Sequence, residues 1–364
     1  MTRKLEKLAF GAALLPLVMT LLNLPRLRRL PKQFGITPIS VLIPARDEED
    51  TIAEAIQTVL ASQGVVLELI IVDDNSSDRT LNILQSYDDP RLQVFSAPAL
   101  PAGWCGKNHA CSVLAEAAQY DLMVFLDADV RLSPDALSRL SGLMSDQPDV
   151  AFLSGVPRQI TGTFLEWLLL PFIHVLLVGY LPMAFDKRKD PAFAAACGQL
   201  VMVRSDAYRT GGGHAAIRHR LHDGLALARQ FRKQGFKTAL FDATDIASCR
   251  MYRSAGEVWN GLLKNATEGM ATPRGLPVWT LLLGAAQVLP FFLPWTKVTR
   301  LAGGMTLLTR SLIAYRFQQG WRTVLLAPVG TAALLLLQWQ ALIGERLGYA
   351  PRWRGRSYPK RTDA

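Results

Sequence analysis

Cysteine is scarce in this chain and is placed for neither zinc nor cross-linking. Among 364 residues there are four: Cys105, Cys111, Cys197 and Cys249. None forms a C-x-x-C, and no Cys/His set has the spacing of a zinc site. The four therefore read as reduced thiols of a cytosol-facing domain. Internal repeats and low-complexity tracts are missing too. The net charge of +10 is accompanied by no nucleic-acid-binding motif, which argues against a nucleic-acid partner. A small-x-small cleavage site is also lacking after the first apolar segment, so that segment reads as an anchor rather than a signal peptide.

What the chain has in quantity is apolar sequence. Half of it is hydrophobic, with a mean hydropathy of +0.17. Residues 8–24, "LAFGAALLPLVMTLLNL", are uncharged and just long enough to span a bilayer. Residues 276–294, 301–316 and 323–343 form three further apolar stretches, the middle one carrying Arg310. The basic residues gather beside these segments. Arg26, Arg28, Arg29 and Lys32 follow the first; Arg346, Arg352, Arg354, Arg356, Lys360 and Arg361 follow the last. That pattern marks a cytoplasmic, anionic membrane face. The expected organisation is an anchor over 1–32, a cytosolic domain over 33–270, and membrane helices with a basic tail over 271–364. Charge places the N-terminus outside and the tail inside. With Pro290 and Pro294 interrupting it, 276–294 is expected to lie in the interface, while 301–316 exits and 323–343 returns. Residues 164–183 hold Glu166, His174, Pro171 and Pro182, which suit a broken interfacial helix. His174 reads as a satisfied polar group rather than a metal ligand.

Between the apolar ends, short apolar runs alternate with amphipathic segments. "ISVLIPA", "LELIIVDD", "LQVFSAP" and "LMVFLDAD" read as strands. "EDTIAEAIQTVLAS", "SSDRTLNILQSY", "KNHACSVLAEAAQ" and "SPDALSRLSGLM" read as helices, with Ser and Asp as cap candidates in the second and Ser133 capping the last. Ser254 and Glu257 have the spacing of a capping box. Continuously apolar strands alternating with helices mean a parallel sheet covered on both faces.

In "MVFLDADV" an apolar strand runs into Asp127-Ala128-Asp129. Two carboxylates so close repel unless a positive charge lies near them. Pro44 to Glu49 follows the first strand and Asp73 to Asp78 the second. Ligands of open α/β sheets bind beyond the carboxyl ends of the strands, and all three acidic clusters fall there. Any one of them reads equally as a polar turn or helix cap. Three together suit an anion carrying a hard divalent cation, Mg2+ or Mn2+.

In this order "VLIPARDEE", "IIVDDNSSDRT", "GWCGKNHA" and "FLDADV" resemble the family-2 glycosyltransferases of the nucleotide-sugar-binding A-type fold. The resemblance continues through "AFAAACGQLVMVRSDAYRTGGGHAAI", "LHDGLALARQFRKQGF" and "CRMYRSAGEVWNGLLKN" to "WRGRSY". Within the family the chain looks most like membrane-associated enzymes that glycosylate carotenoid or hopanoid-type lipids. The resemblance implies a mostly parallel α/β sheet with helices on both faces, flanked by transmembrane or interfacial helices. It also implies a nucleotide-diphosphate sugar donor, a lipid acceptor in the membrane and Mg2+ or Mn2+. Asp73 and Asp74 would hold the nucleoside, walled by the loop with Pro44, Arg46 and Glu48. Asp127 would serve the ribose side and the metal, and Asp129 would ligate the metal directly. Lys107 would neutralise diphosphate, or be a solvated lysine before a helix. Asp223 would be the base that deprotonates an acceptor hydroxyl, or a helix N-terminal charge. Relatives often have Glu-Asp where this chain has His222-Asp223, which leaves the tuning of the base open. The Gln-x-x-Arg-Trp of processive relatives is absent, favouring transfer of one sugar. Arg253 would meet diphosphate, and Trp259 would stack on the acceptor or simply pack. Two further readings are transfer to polyprenyl phosphate and a catalytically silent scaffold.

Overall fold

The computed structural model describes residues 2–183, 189–349, 352–353 and 355–357. Arg354, Lys360 and Arg361 of the basic tail lie outside the described residues. The chain forms two compact units. The α/β unit comprises residues 27–158 and 189–249. The helical unit comprises residues 2–26, 159–183 and the chain from 250 onward.

Among the described residues, nine strands of three residues or more build the α/β unit: β1 (Ile39–Ala45), β2 (Leu67–Asp73), β3 (Leu92–Ser96), β4 (Leu122–Leu126), β5 (Val130–Leu132), β6 (Val150–Val156), β7 (Leu200–Arg204), β8 (Lys237–Asp242) and β9 (Ala247–Cys249). Seven form one sheet in the order β3-β2-β1-β4-β7-β6-β8, and β5 pairs antiparallel with β9 beside it. Every residue of β2 is buried, and all but one of β1. A strand buried at consecutive positions has both faces covered. On one face Leu42, Ile70 and Val72 pack with Ala110, Leu114 and Phe231 from the helices Gly106–Ala117 and Asp223–Lys233.

The first four strands are parallel as expected. β7 departs from that reading, running antiparallel to both β4 and β6. Its first residue, Leu200, pairs with Leu126, the last of β4. The reversal delivers Cys197, Gly198 and Gln199 to the carboxyl end of β4. Register also aligns the acidic loops. Ala45 pairs with Asp73, and Leu42 with Phe125, so Asp127 stands level with Pro44.

Two helix starts differ from expectation. The helix Ala136–Asp146 begins after Ser133 and Pro134, and the Ser133 hydroxyl donates to Asp135 Oδ1 at 2.5 Å instead of capping. The helix Thr80–Gln85 begins at Arg79, with Asp78 accepting the Thr80 N–H at 2.9 Å from one residue further out.

In the helical unit, Thr2–Asn23 packs against Lys297–Arg316 through Ala9, Ala13 and Ala302, all fully buried. Small residues let two helix backbones approach closely. Residues 164–183 are broken as expected, into Phe164–Leu169 and Phe172–Tyr180, with Pro171 at the second N-cap. Glu166 and His174, expected at an interface, are instead fully enclosed. Glu166 accepts from Gly162 N at 2.7 Å and Thr163 Oγ1 at 2.8 Å. His174 Nδ1 meets Gln319 Nε2 at 2.8 Å, and its ring lies 3.9 Å from that of Phe317. Ser254 caps Ala255–Ala266, but Glu257 closes the box on the Arg253 N–H rather than on Ser254's own.

Among the described residues, three helices are long and apolar enough to cross a membrane: Thr2–Asn23, Gly275–Phe292 and Ala327–Arg346. Lys297–Arg316 is not one of them; its basic residues Lys297, Arg300, Arg310 and Arg316 explain why. Nor does Pro290 end the preceding helix. A π-helical turn over Gly284–Val288 resets the hydrogen-bond ladder, and Pro290 then falls in the first turn of the segment that follows. There its missing N–H costs nothing.

Candidate active site

The loops after β1 and β2 are built as a pair. Asp47 and Asn75 have φ of 52° and 55°, a left-handed backbone that Asp and Asn tolerate better than most residues. Cross-loop bonds hold them there. Asp47 N donates to Ser76 Oγ at 3.0 Å, and Asp47 Oδ1 accepts from Ser77 N at 2.7 Å. Glu48 N donates to Thr80 Oγ1 at 2.7 Å, Glu49 N to Asp78 Oδ2 at 3.1 Å, and Arg46 Nη1 to Asp74 O at 2.5 Å. Ser76, Ser77 and Asp78 thus have a structural task, which supports the polar-turn reading for that triplet. Asp73 and Asp74 are almost wholly buried. Asp73 Oδ2 accepts the Ser76 N–H at 3.3 Å, while its Oδ1 is buried with no partner.

Deeper along the same edge, three charges meet. Lys107 Nζ lies 2.6 Å from Asp127 Oδ1 and 2.8 Å from Asp223 Oδ2. Lys107 stands in the first turn of Gly106–Ala117, and Asp223 is the first residue of Asp223–Lys233. Two glycines permit this approach. A Cβ on Gly224 would sit 2.6 Å from Gly198 N, and one on Gly198 would sit 2.9 Å from Asp223 Oδ1. Asn108 fixes the segment before Asp223 by donating to the carbonyls of Ile217 at 2.9 Å and Arg220 at 2.8 Å. The pocket at this point is lined by Pro44, Lys107, Cys111, Phe125, Asp127, Gly198, His214 and Asp223.

The electrostatics follow from burial and pairing. Burial pushes Asp127 up to about 6, against the pull of Lys107 and with repulsion from Asp129 and Asp223 adding to it. Burial would raise Asp223 as well, but Lys107 outweighs it and holds that carboxyl below the usual range. Lys107 itself is kept charged: burial opposes it, and the two aspartates prevail. Burial depresses His214 to about 4, and its Nδ1 lies 2.7 Å from Tyr208 Oη.

Asp129 is raised by burial and by the nearby charge of Glu48. Its Oδ1 is buried without a hydrogen-bond partner. Among the described residues no three His, Cys, Asp or Glu converge as a ready-made metal cage. Two neighbouring carboxylates with a vacant buried lone pair instead fit a hard cation whose remaining ligands come from a bound anion.

Pro44, Arg46, Glu48, Asp73, Asp74, Lys107, Asp127, Asp129 and Asp223 thus all belong to the α/β unit, on the loops and helix starts that leave one sheet edge. Arg253 and Trp259 belong to the helical unit. Arg253 is exposed, and Trp259 Nε1 donates to Gln340 Oε1 at 3.0 Å. Sequence reasoning passed over Gly198, Gln199, His214 and Cys249. The glycines in "CGQL" and "HDGL" were the available signal for the close approach; nothing in the sequence pointed to Cys249.

Residues 40–212 match the model of glycosyl transferase family 2. The chain carries a glycosyl transferase family 2 domain. Across 246 residues the protein is 26% identical to the 4,4'-diaponeurosporenoate glycosyltransferase of Staphylococcus aureus strain USA300, covering 66% of this chain and 63% of that one. The protein therefore spans less than two thirds of the length of that curated relative. The mannosyltransferase PcManGT of Pyrobaculum calidifontis, solved with GDP-Man and Mn2+, superposes with a TM-score of 0.52. It is 19% identical, and the match covers 93% of this chain and 98% of that one. The family-2 domain has the A-type fold.

Proposed function

We propose that this protein transfers one sugar, with inversion, from a nucleotide-diphosphate sugar to a hydroxyl of a membrane lipid, with a divalent cation bound. The observation that carries the reading is the meeting of Asp127, Lys107 and Asp223 at the carboxyl edge of a family-2 domain. The paired loops, with the partnerless Asp73 Oδ1, would hold the nucleoside. Asp127 and Asp129 would hold Mg2+ or Mn2+, which when bound would carry charge on the departing diphosphate. Lys107 would add its ammonium to that diphosphate. Asp223 would take the proton of the acceptor hydroxyl as its oxygen attacks the anomeric carbon from the side opposite the leaving group. Support for a lipid acceptor comes from the three apolar helices and from the Staphylococcus relative, named for transfer to diaponeurosporenoate. Support for the cation and donor class comes from the Mn2+ and GDP-Man held by the Pyrobaculum enzyme.

The test uses the full chain in lipid nanodiscs with UDP- and GDP-sugars, Mn2+ and an extract of polar and carotenoid lipids. The expected result is nucleotide release matched by a glycolipid of one added hexose mass, lost in Asp223→Asn. No transfer from any donor, with no nucleotide bound, would overturn the reading in favour of the silent scaffold. Product only on polyprenyl phosphate would replace the hydroxyl acceptor.

A further inference from the structure

Arg131 stands two residues past Asp129, in the middle of β5. Its neighbours Val130 and Leu132 are buried on one face of the strand, and Arg131 points to the other. Its backbone is held by β9, where it pairs with Ser248. The side chain serves two segments at once. Nη1 donates to the carbonyls of Ala128 at 2.9 Å and Val130 at 3.0 Å, and Nη2 donates to the carbonyl of Thr51 at 2.8 Å. Ala128 lies between the two aspartates of the Asp-Ala-Asp turn. Thr51 ends the loop after β1, immediately before the helix Ile52–Leu60. Its hydroxyl donates to Glu48 Oε2 at 2.8 Å.

One guanidinium therefore spans the turn expected to hold the cation and the loop expected to wall the nucleoside. The planar fork of arginine aims its N–H groups in fixed directions, so it can hold carbonyls of two segments at one spacing. A lysine ammonium is a compact point charge without that reach. The cross-loop bonds of Asp47, Glu48 and Glu49 run instead to the loop after β2, whereas those of Arg131 run to the turn after β4. The remaining contact of Arg131 is peripheral. Nε lies 2.8 Å from Glu54 Oε2, on a largely exposed side chain where an ion pair contributes little.

We infer that Arg131 is a positioning residue that fixes the spacing between the Asp-Ala-Asp turn and the nucleoside loop, so that a nucleoside diphosphate and its divalent cation engage both at once. The inference rests on the donor and cation parts of the proposed function. Loss of the bridge should reduce the help that cation and nucleotide give each other, and spare the grip of the nucleoside loop itself.

Calorimetry on the full chain in detergent gives the Kd of UDP and of GDP, each with Mn2+ and with EDTA. For the nucleotide that wild type binds more tightly, the ratio of the two Kd values measures the gain from the cation. Arg131→Gln should lower that gain about tenfold, the scale typical of partners that orient metal ligands, while the Kd in EDTA changes less than about threefold. Arg131→Lys should lower the gain in the same sense, and Glu54→Gln should leave it at the wild-type value. A role confined to stability would lower the melting temperature and keep the gain, and that result would overturn the inference. Equal losses with Mn2+ and with EDTA would also overturn it, making Arg131 a prop of the nucleoside loop alone. Equal wild-type Kd values with Mn2+ and with EDTA would remove the cation part of the proposed function together with the inference, and no nucleotide binding would remove the donor part too. Should Arg131→Gln show no cooperative melting, Arg131→Lys decides: a lowered gain upholds the bridge, and a wild-type gain removes it.

Discussion

Asp223 and Lys107 are ion-paired at 2.8 Å, and the same ammonium holds Asp127 at 2.6 Å on its other side. One lysine thus neutralises both the residue expected to face the acceptor and a residue expected to face the donor. The pairing accounts for the low proton affinity of Asp223 despite its burial.

Asp223→Asn removes the proton acceptor and keeps the shape. Transfer should fall by roughly 100- to 10,000-fold, the usual contribution of a positioned base. Nucleotide affinity, read by quenching or calorimetry with UDP and GDP, should change less than threefold. Equal loss of binding and turnover would make Asp223 a donor-site residue.

His214 gives the α/β unit an acid-sensitive element. Its folded value is about 4, against about 6.5 for an unperturbed histidine. Between those values the unfolded chain binds a proton that the folded chain refuses, so the group's contribution is complete above pH 6.5 and is lost as pH falls toward 4. The loss amounts to about 3 kcal/mol over the window. Melting temperature should therefore drop steeply from pH 7 to 4.5 in wild type and less steeply in His214→Gln. Parallel curves would mean other groups dominate.

The left-handed Asp47 carries both a backbone demand and two side-chain bonds to Ser77. Asp47→Ala should weaken nucleotide binding about tenfold, since it strains the loop and unties it from its partner. Asp47→Gly relieves only the strain, and Asp47→Asn keeps the conformation and an acceptor. The expected order of affinity is Asn, then Gly, then Ala. Equal affinity across the three would remove the loop from the nucleotide site.

Topology is testable at the exposed loop after Phe292. If Thr2–Asn23 enters the cytoplasm and Gly275–Phe292 leaves it, Trp295 is outside and Ala327–Arg346 returns the tail inside. Trp295→Cys should then react with an impermeant maleimide in intact cells, and a cysteine added after Ala364 should not. Protection of both cysteines would restore the reading in which 276–294 lies in the interface, and a labelled tail would overturn both. Native thiols add little background, since Cys105, Cys111 and Cys249 are buried.

Much of this was legible in sequence because it lies in local patterns. Strands β1 to β4 announced themselves as apolar runs, and the acidic clusters sat at their ends. What escaped was set by tertiary context. β7 is as apolar as its neighbours, yet nothing in "LVMVR" says that it runs backwards. Lys107 was legible as a cation, but its two partners come from a distant strand end and a distant helix start. Cys249 was one cysteine among four until strand register paired it with Val130, directly after the Asp-Ala-Asp turn. Pro290 looked like a break because the π turn that absorbs it depends on backbone geometry rather than on composition.

The α/β unit is also discontinuous in sequence. β6 ends at Val156, the chain then passes through residues 159–183 of the helical unit, and β7 begins only at Leu200. During synthesis the parallel half of the sheet is made first, as four local strand-helix steps. The strand between β4 and β6 cannot be added until that excursion has been translated, and Asp223 emerges later still. Assembly of the charge triad thus waits on a stretch of apolar chain that belongs to another unit, and long-range closure of this kind is slow and exposes unpaired strand edges meanwhile. A genetic excision of residues 27–249 would carry 159–183 with it. The domain is therefore not a cassette that two cuts can move, and biogenesis of the site is tied to that of its apolar neighbour.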